Sequence, residues 1–277
     1  MKVRVISGIV IGILLFVMLE GGAMITASFL FILSLIAYRE LAQACGFAGE
    51  GRRFSLPECL GYLGIILHYG LLVFTDCGLK GYVVSLMAVF FAEAVVFVVR
   101  YPAIGAVQFI SSVFSFAYAP MMLSFIYLLR IMPGGRYLAW MPFIAWICDT
   151  CAYFAGRALG RHKLAPVLSP KKTIEGAIGG ILGSIAAGVG FYFLYAGQVP
   201  DIPRTDLLIG LIVIAACAGG LSQVGDLTAS GLKRHFDIKD YGTLIPGHGG
   251  IMDRFDSVIF ISPLIYLLAA LLLEGGF

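Results

Sequence analysis

Apolar residues run through this chain in blocks of about twenty, separated by short polar stretches, from one end to the other. Crossing the hydrocarbon of a bilayer as a helix takes roughly 20 such residues. Runs near that length lie at approximately 4–20, 22–44, 57–76, 81–99, 108–129, 137–156, 174–197, 207–226 and 253–273. The pattern predicts an all-α polytopic integral membrane protein with about nine transmembrane helices. The first run follows the charged stub MKVR, as a secretory signal would, but no small-residue cleavage site precedes the second run, so it is expected to be retained.

The polar positions are unevenly spread. Up to about residue 135 the loops are short and the polar residues inside the spans, such as Glu58, His68 and Glu93, come singly. A lone intramembrane acid must face protein or be neutral, because a charge facing lipid costs about 2.5–3.5 kcal/mol. Beyond that point three dense clusters abut or enter the helices: DTCAYFAGRALGRHKLAPVLSPKKTIEG (Asp149 to Gly176), SQVGDLTASGLKRHFDIKDYG (Ser222 to Gly242) and PGHGGIMDRFD (Pro246 to Asp256). The chain reads as one transmembrane domain, 1–277, with 1–135 as scaffold helices and 136–277 as the part that carries chemistry. In GAIGGILGSIAAG the GxxxG pairs Gly176/Gly180 and Gly179/Gly183 predict close helix packing.

Composition and charge sharpen this picture. With 60% hydrophobic and 13% charged residues and a mean hydropathy of +0.96, there is too little polar material to coat a soluble globule. With the N-terminus inside, Lys2, Arg4, Arg39, Arg52, Arg53, Arg100, Arg157, Arg161, Lys163, Lys171, Lys172, Lys233, Arg234, Lys239 and Arg254 all fall on the cytoplasmic side. Only Lys80, Arg130, Arg136 and Arg204 of the 19 Lys and Arg fall outside. That asymmetry supports nine spans with the N-terminus cytoplasmic and the C-terminus extracytoplasmic. The net charge of +3 then describes one membrane face and not a nucleic-acid binder. Cys148 and Cys151 form a CxxC without a second pair or a His pair, so these thiols are expected to be apolar packers.

The clusters carry charges suited to phosphates and a hard cation. Lys171 and Lys172 stand just before the seventh run, so a helix start with free N–H groups lies beside two ammonium groups. That suits a phosphate, and equally a topology signal with a cap from Ser169 or Thr173; Glu175 falls in the first turn, where the dipole favours an anion. Asp226 is expected to close an apolar helix and is followed within about two turns by Ser230, Lys233 and Arg234. Lys239 and Asp240 lie in the loop that leads to Gly247, Gly249 and Gly250, whose backbone can approach a ligand and turn N–H groups towards an anion. Asp253 and Asp256, three apart at a helix start, share a face from which Arg254 points away. Clustered carboxylates near lipid need a cation, and oxygen donors suit Mg²⁺ with phosphate oxygens completing its shell; Asp226 can add a third carboxylate. The plainer alternative is a carboxylate and arginine network that ties helices together.

These residues match a known pattern. Ser230, Leu232, Lys233, Arg234, Lys239, Asp240, Gly242, Ile245, Pro246, His248, Gly249, Gly250, Ile251, Asp253, Arg254, Phe255 and Asp256 stand at the spacing of the phosphatidate cytidylyltransferase (CDP-diglyceride synthetase) signature, which this sequence closely resembles over roughly residues 135–277. The resemblance implies Mg²⁺-dependent transfer of CMP from CTP to phosphatidic acid, giving CDP-diacylglycerol and pyrophosphate. It also implies a homodimer in a bacterial inner membrane, with the site at the cytoplasmic face. Carried onto this chain, Asp226, Asp253 and Asp256 become the expected metal ligands and, with Lys233, the catalytic set. A second cation is left open. Ser169, Lys171, Lys172, Thr173, Ser230, Arg234, Lys239, Asp240, His248, Gly249, Gly250 and Arg254 are expected around the substrates.

Other CTP-using membrane enzymes, such as polyprenol or phytol kinases or ether-lipid cytidylyltransferases, could use the same chemistry. A CDP-alcohol phosphatidyltransferase fits poorly, since that family's paired-aspartate motif has no upstream half here. A transporter would place its polar groups towards the midplane and not at one face. The topology is testable: a reporter fused after Phe277 is expected to read extracytoplasmic, and one inserted near Gly242 cytoplasmic. The same side for both would refute the count of nine.

Overall fold

The computed structural model describes residues 2–49, 53–199, 202–247 and 249–273. Helices dominate because a chain in hydrocarbon must satisfy its backbone N–H and C=O groups internally. Among the described residues eight helical stretches are long and apolar enough to cross a membrane, from Ala23–Ala44 to Met252–Leu273. The first expected span is helical as well, but its described apolar stretch, Ser7–Glu20, is shorter. The chain forms two compact units, one of Met1–Ser124 with Phe236–Arg254 and one of Phe125–His235 with Phe255–Phe277. This grouping by contact differs in kind from the division of roles drawn at residue 135.

The first unit contains α1 (Lys2–Glu20), α2 (Ala23–Ala44), α3 (Leu56–Phe74), α4 (Leu79–Val99) and α5 (Ala106–Phe116). A π turn at Ala117–Met121 follows α5 and leads into α6 (Met122–Ile131). Pro120 lies inside that turn; lacking an N–H, it cannot continue an α-helical ladder, and the widened turn accommodates it. Glu58, His68 and Glu93 all have partners. Glu93 accepts from Ser112 Oγ at 2.6 Å, and the same hydroxyl meets Tyr38 Oη at 2.9 Å. His68 reaches Ser85 and Ser124 Oγ at 2.9 Å each. Glu58 completes a capping box with Ser55 at the start of α3 and pairs with Arg39.

The second unit continues with α7 (Gly135–Leu138), α8 (Ile144–Leu159), a hairpin of β1 (Lys163–Ala165) and β2 (Ser169–Thr173), α9 (Ile174–Tyr195), α10 (Arg204–His235) and most of α11 (Met252–Leu273). The strands are antiparallel, with Lys163 opposite Thr173 and Ala165 opposite Ser169. The expected glycine packing is present: α9 lies against α8 so closely that a Cβ on Gly180 would stand 2.9 Å from the Cys148 carbonyl oxygen, and one on Gly176 would stand 2.8 Å from that of Ala152. The CxxC thiols pack here as expected. Cys148 Sγ donates to the Gly219 carbonyl at 3.3 Å, and Cys151 fills the space left by Gly183.

One boundary differs. α10 does not stop at Asp226 but runs 32 residues to His235, about 48 Å at 1.5 Å per residue. That exceeds the roughly 30 Å hydrocarbon thickness. Polarity alone does not end a helix; it ends where Asp237 adopts a left-handed φ of 52°. Asp226, Ser230 and Lys233 therefore sit on successive turns of one helix.

If the α8–α9 contact sustains this unit, Gly180→Leu forces the backbones apart and should destabilise by about 1–3 kcal/mol. This is readable as a lower melting temperature in detergent. Unchanged melting would show the close approach to be dispensable.

Candidate active site

In the second unit, β2 carries Lys171 and Lys172 into a cavity of about 380 Å³. Asp149, Tyr153 and Arg157 line it from α8, Gln223 and Asp226 from α10. Thr173 ends β2 and caps α9, its Oγ1 accepting from Gly176 N at 3.1 Å. Glu175 accepts from the amides of Arg161 and His162 at 3.0 and 3.2 Å and meets His162 Nδ1 at 2.6 Å, which fixes the entry to the hairpin. Lys172 forms an ion pair with Asp226; the two side chains are 22% and 30% exposed. The Lys172 ammonium nitrogen itself is shut off from solvent and lacks a well-aligned hydrogen-bond acceptor among the described residues. A buried cation with unused N–H donors, opening on a cavity with Arg157 and Lys171, is suited to an anion.

Asp256 is buried, 7% exposed. Its Oδ1 accepts from the Ser257 amide at 2.7 Å and hydroxyl at 3.3 Å. Asp226, Asp149 and Lys233 act on it electrostatically. Three acids and two lysines thus stand in one charge system inside this unit. Their oxygens are hard donors, and two carboxylates with water and phosphate oxygens are a common Mg²⁺ shell, so Asp226 and Asp256 fit that ion. The full expected set does not form a preformed cluster: among the described residues no group of three or more His, Cys, Asp or Glu is arranged to hold a metal. The reason is visible in the partners, since Asp226 is paired with Lys172, Asp256 with Ser257, and Asp253 with backbone amides.

The first unit contains the glycine loop. Ile245 N donates to Gly249 O at 2.8 Å, and Gly247 and Gly249 take φ values of 77° and 86°, which side-chain-bearing residues rarely adopt. A cavity of about 570 Å³ lies beside the loop, lined by Lys239, Asp240, Gly249 and Arg254 among others. The amides at the start of α11 are nevertheless already satisfied. Asp253 Oδ2 accepts from Gly250 N at 3.0 Å and Tyr241 N at 2.8 Å. Glu40 accepts from Ile251 N at 2.9 Å and Met252 N at 2.8 Å. The expected phosphate cradle of Gly250 is therefore an internal carboxylate clasp, and the cations, more than the backbone, are what this loop offers an anion.

The structure thus gathers Lys171, Lys172, Thr173 and Asp226 around one cavity, with Lys233 and Asp256 in the same charge system, and Lys239, Asp240, Gly249 and Arg254 around the other. Ser169, Ser230 and Arg234 line neither cavity. His248 lies outside the described residues. Glu40 and the lining residues Asp149, Tyr153, Arg157 and Gln223 were not anticipated. Asp149 and Arg157 fall in a cluster the sequence marks as polar, two turns apart on α8. Glu40 had a weaker signal, an acid at the end of an apolar run that must have a partner.

Comparison with known proteins assigns the chemistry. The cytidylyltransferase family model matches residues 2–272. The chain belongs to the cytidylyltransferase family. It is 35% identical over 271 residues to a phosphatidate cytidylyltransferase of Staphylococcus epidermidis, covering 97% of this chain and 98% of that protein. It is 33% identical, with the same coverage, to one from Staphylococcus aureus, and 32% identical over 275 residues to one from Staphylococcus saprophyticus. The chain is thus a nucleotidyltransferase and a polytopic membrane protein.

Asp253 separates two roles. In Asp253→Asn the amide oxygen can still accept from Gly250 and Tyr241, so the loop persists and only the charge is lost. If the charge takes part in transfer, turnover should fall by about 10² to 10³ with melting unchanged. Turnover near wild type would leave Asp253 as a clasp alone.

Proposed function

We propose that this cytidylyltransferase transfers CMP from CTP to phosphatidic acid at the cytoplasmic face of a bacterial inner membrane, releasing CDP-diacylglycerol and pyrophosphate. The observation that carries this reading is the Lys172 ammonium, buried at the cavity of Lys171, Arg157 and Asp226, in a chain similar along nearly its whole length to proteins named for that reaction.

The phosphate monoester of phosphatidic acid is already an anion at neutral pH. One of its oxygens bonds to the α-phosphorus of CTP as the bond from that phosphorus to the bridging oxygen breaks, and the electron pair leaves on pyrophosphate. No strong base is required. The difficulty is repulsion between nucleophile and triphosphate, which falls to positive charge held in place. Lys171, Lys172 and Arg157 bind phosphate oxygens, and Lys233 offsets the acids of the same unit. When bound, Mg²⁺ supplies charge neutralisation and polarises phosphoryl oxygen; Asp226 and Asp256 would hold it. A substrate phosphate that takes over Lys172 also releases Asp226 from its ion pair.

The test is purified protein in detergent with labelled CTP, phosphatidic acid and Mg²⁺, the product being identified by lipid chromatography. A CDP-lipid is expected. Phosphate transfer to a lipid alcohol instead would overturn the assignment in favour of a kinase. Within the active protein, Lys171→Gln should raise KM for CTP roughly 10-fold or more, the scale of one charge-assisted hydrogen bond, while KM for phosphatidic acid stays near wild type. An unchanged CTP dependence would reduce Lys171 to a topology signal.

A further inference from the structure

Glu40 lies on the last turns of α2, some two hundred residues before the loop it serves. It is 4% exposed. Both carboxylate oxygens bond to one segment: Oε1 accepts from Ile251 N at 2.9 Å and Oε2 from Met252 N at 2.8 Å. Two glycines make room for it. A methyl group at Gly242 or at Gly250 would collide with the carboxylate. Neither glycine has a positive φ, so backbone conformation does not require glycine at either position. The approach of Glu40 does.

We infer that Glu40 is a positioning residue for nucleotidyl transfer: it fixes the first turn of α11, and with it Asp253, Arg254 and the loop lined by Lys239 and Asp240. The inference rests on the proposed function for its catalytic consequence. The chemistry is specific. Two adjacent N–H groups at a helix start are held by the two oxygens of one side chain, which sets the position of that start and also its direction. On the other side of the same turn, Asp253 holds Gly250 N and Tyr241 N. Three consecutive amides, Gly250 to Met252, are thus locked by two carboxylates, and Asp253 is at once a member of the clasp and a candidate catalytic group. Glu40 bonds to the amides of Ile251 and Met252; it acts through the loop.

The experiment uses the full-length protein in detergent, with steady-state kinetics and amide hydrogen exchange measured together. In Glu40→Gln the side-chain NH₂ faces a backbone N–H, so one of the two bonds is lost. Exchange across residues 250–252 should accelerate, while α3 and α4 remain protected. The kcat should fall roughly 10- to 100-fold, as expected for a misplacement of about 1 Å, with both KM values within about twofold of wild type. Gly242→Ala, which keeps the charge but pushes on it, should give the same kinetic pattern and serves if Glu40→Gln does not fold. The Glu40→Ala, Gly242→Ala pair should be little worse than Glu40→Ala alone, because the added methyl enters vacated space. A wild-type kcat with faster exchange, or unchanged exchange in Glu40→Gln, overturns the inference. If the wild-type protein makes no CDP-lipid, the proposed function fails by itself, and the exchange data still decide whether Glu40 holds the turn.

Discussion

Hydrocarbon offers no hydrogen bonds, so a charge carried into or beside a membrane helix must be met by the protein itself. This constraint organises the polar residues of the chain. The adjacent pair Arg39 and Glu40 at the end of α2 shows how. Arg39 pairs with Glu58, which also accepts from the Gly49 amide at 3.0 Å and closes the start of α3. Glu40 closes the start of α11. Two neighbouring residues of opposite charge thus serve two different helix starts. A carboxylate at a helix N-terminus is favoured by the dipole as well as by the free N–H groups, which makes this a stable way to place an acid near lipid.

In the second unit, close packing and chemistry are linked through Thr173. Its Oγ1 stands 2.9 Å from where a Cβ would be on Gly156, on Gly160 and on Gly176. A larger residue at any of these positions would displace the cap of α9. The same glycines let α8 and α9 approach until β2, which joins directly to α9, projects Lys171 and Lys172 across the cavity wall formed by Tyr153 and Arg157. The glycines therefore pack the membrane part and also set the height at which the lysines are presented.

Much of this was legible in the sequence, and the reason is local. A run of twenty apolar residues declares a span wherever it occurs, and GxxxG spacing places small residues on one helix face whatever the partner turns out to be. The candidate charges were legible too, because Lys, Arg and Asp are conspicuous against an apolar background. Their pairings were not. Lys172 with Asp226, and Glu40 with Ile251 and Met252, join positions far apart in the chain. The hairpin was hidden for a related reason: three and five residues of strand between helices leave little periodicity to read. The clearest failure concerns the amides behind Gly249. Glycines permit N–H groups to face an anion, but which anion arrives depends on the rest of the fold, and here two protein carboxylates occupy the place.

The need to meet a shielded charge also bears on why Lys172 and Asp226 are paired. With its ammonium shut off from solvent, such a pair gives up in desolvation much of what the attraction returns. It is therefore a poor device for holding helices together, and the glycine contacts of α8 and α9 already do that. It is a good device for keeping a solvent-shielded ammonium neutralised until a stronger anion is present. A triphosphate carries several charges and can bring more than one oxygen to the same lysine, so it competes well against a single carboxylate. In the proposed reaction, a phosphate that took over Lys172 would leave Asp226 and buried Asp256 with Lys233 still acting on Asp256, and the proposed Mg²⁺ would add the positive charge that Lys172 had supplied. Under the proposed function, the Lys172–Asp226 pair and a Mg²⁺ ion held by Asp226 and Asp256 would be alternative ways of balancing one set of charges.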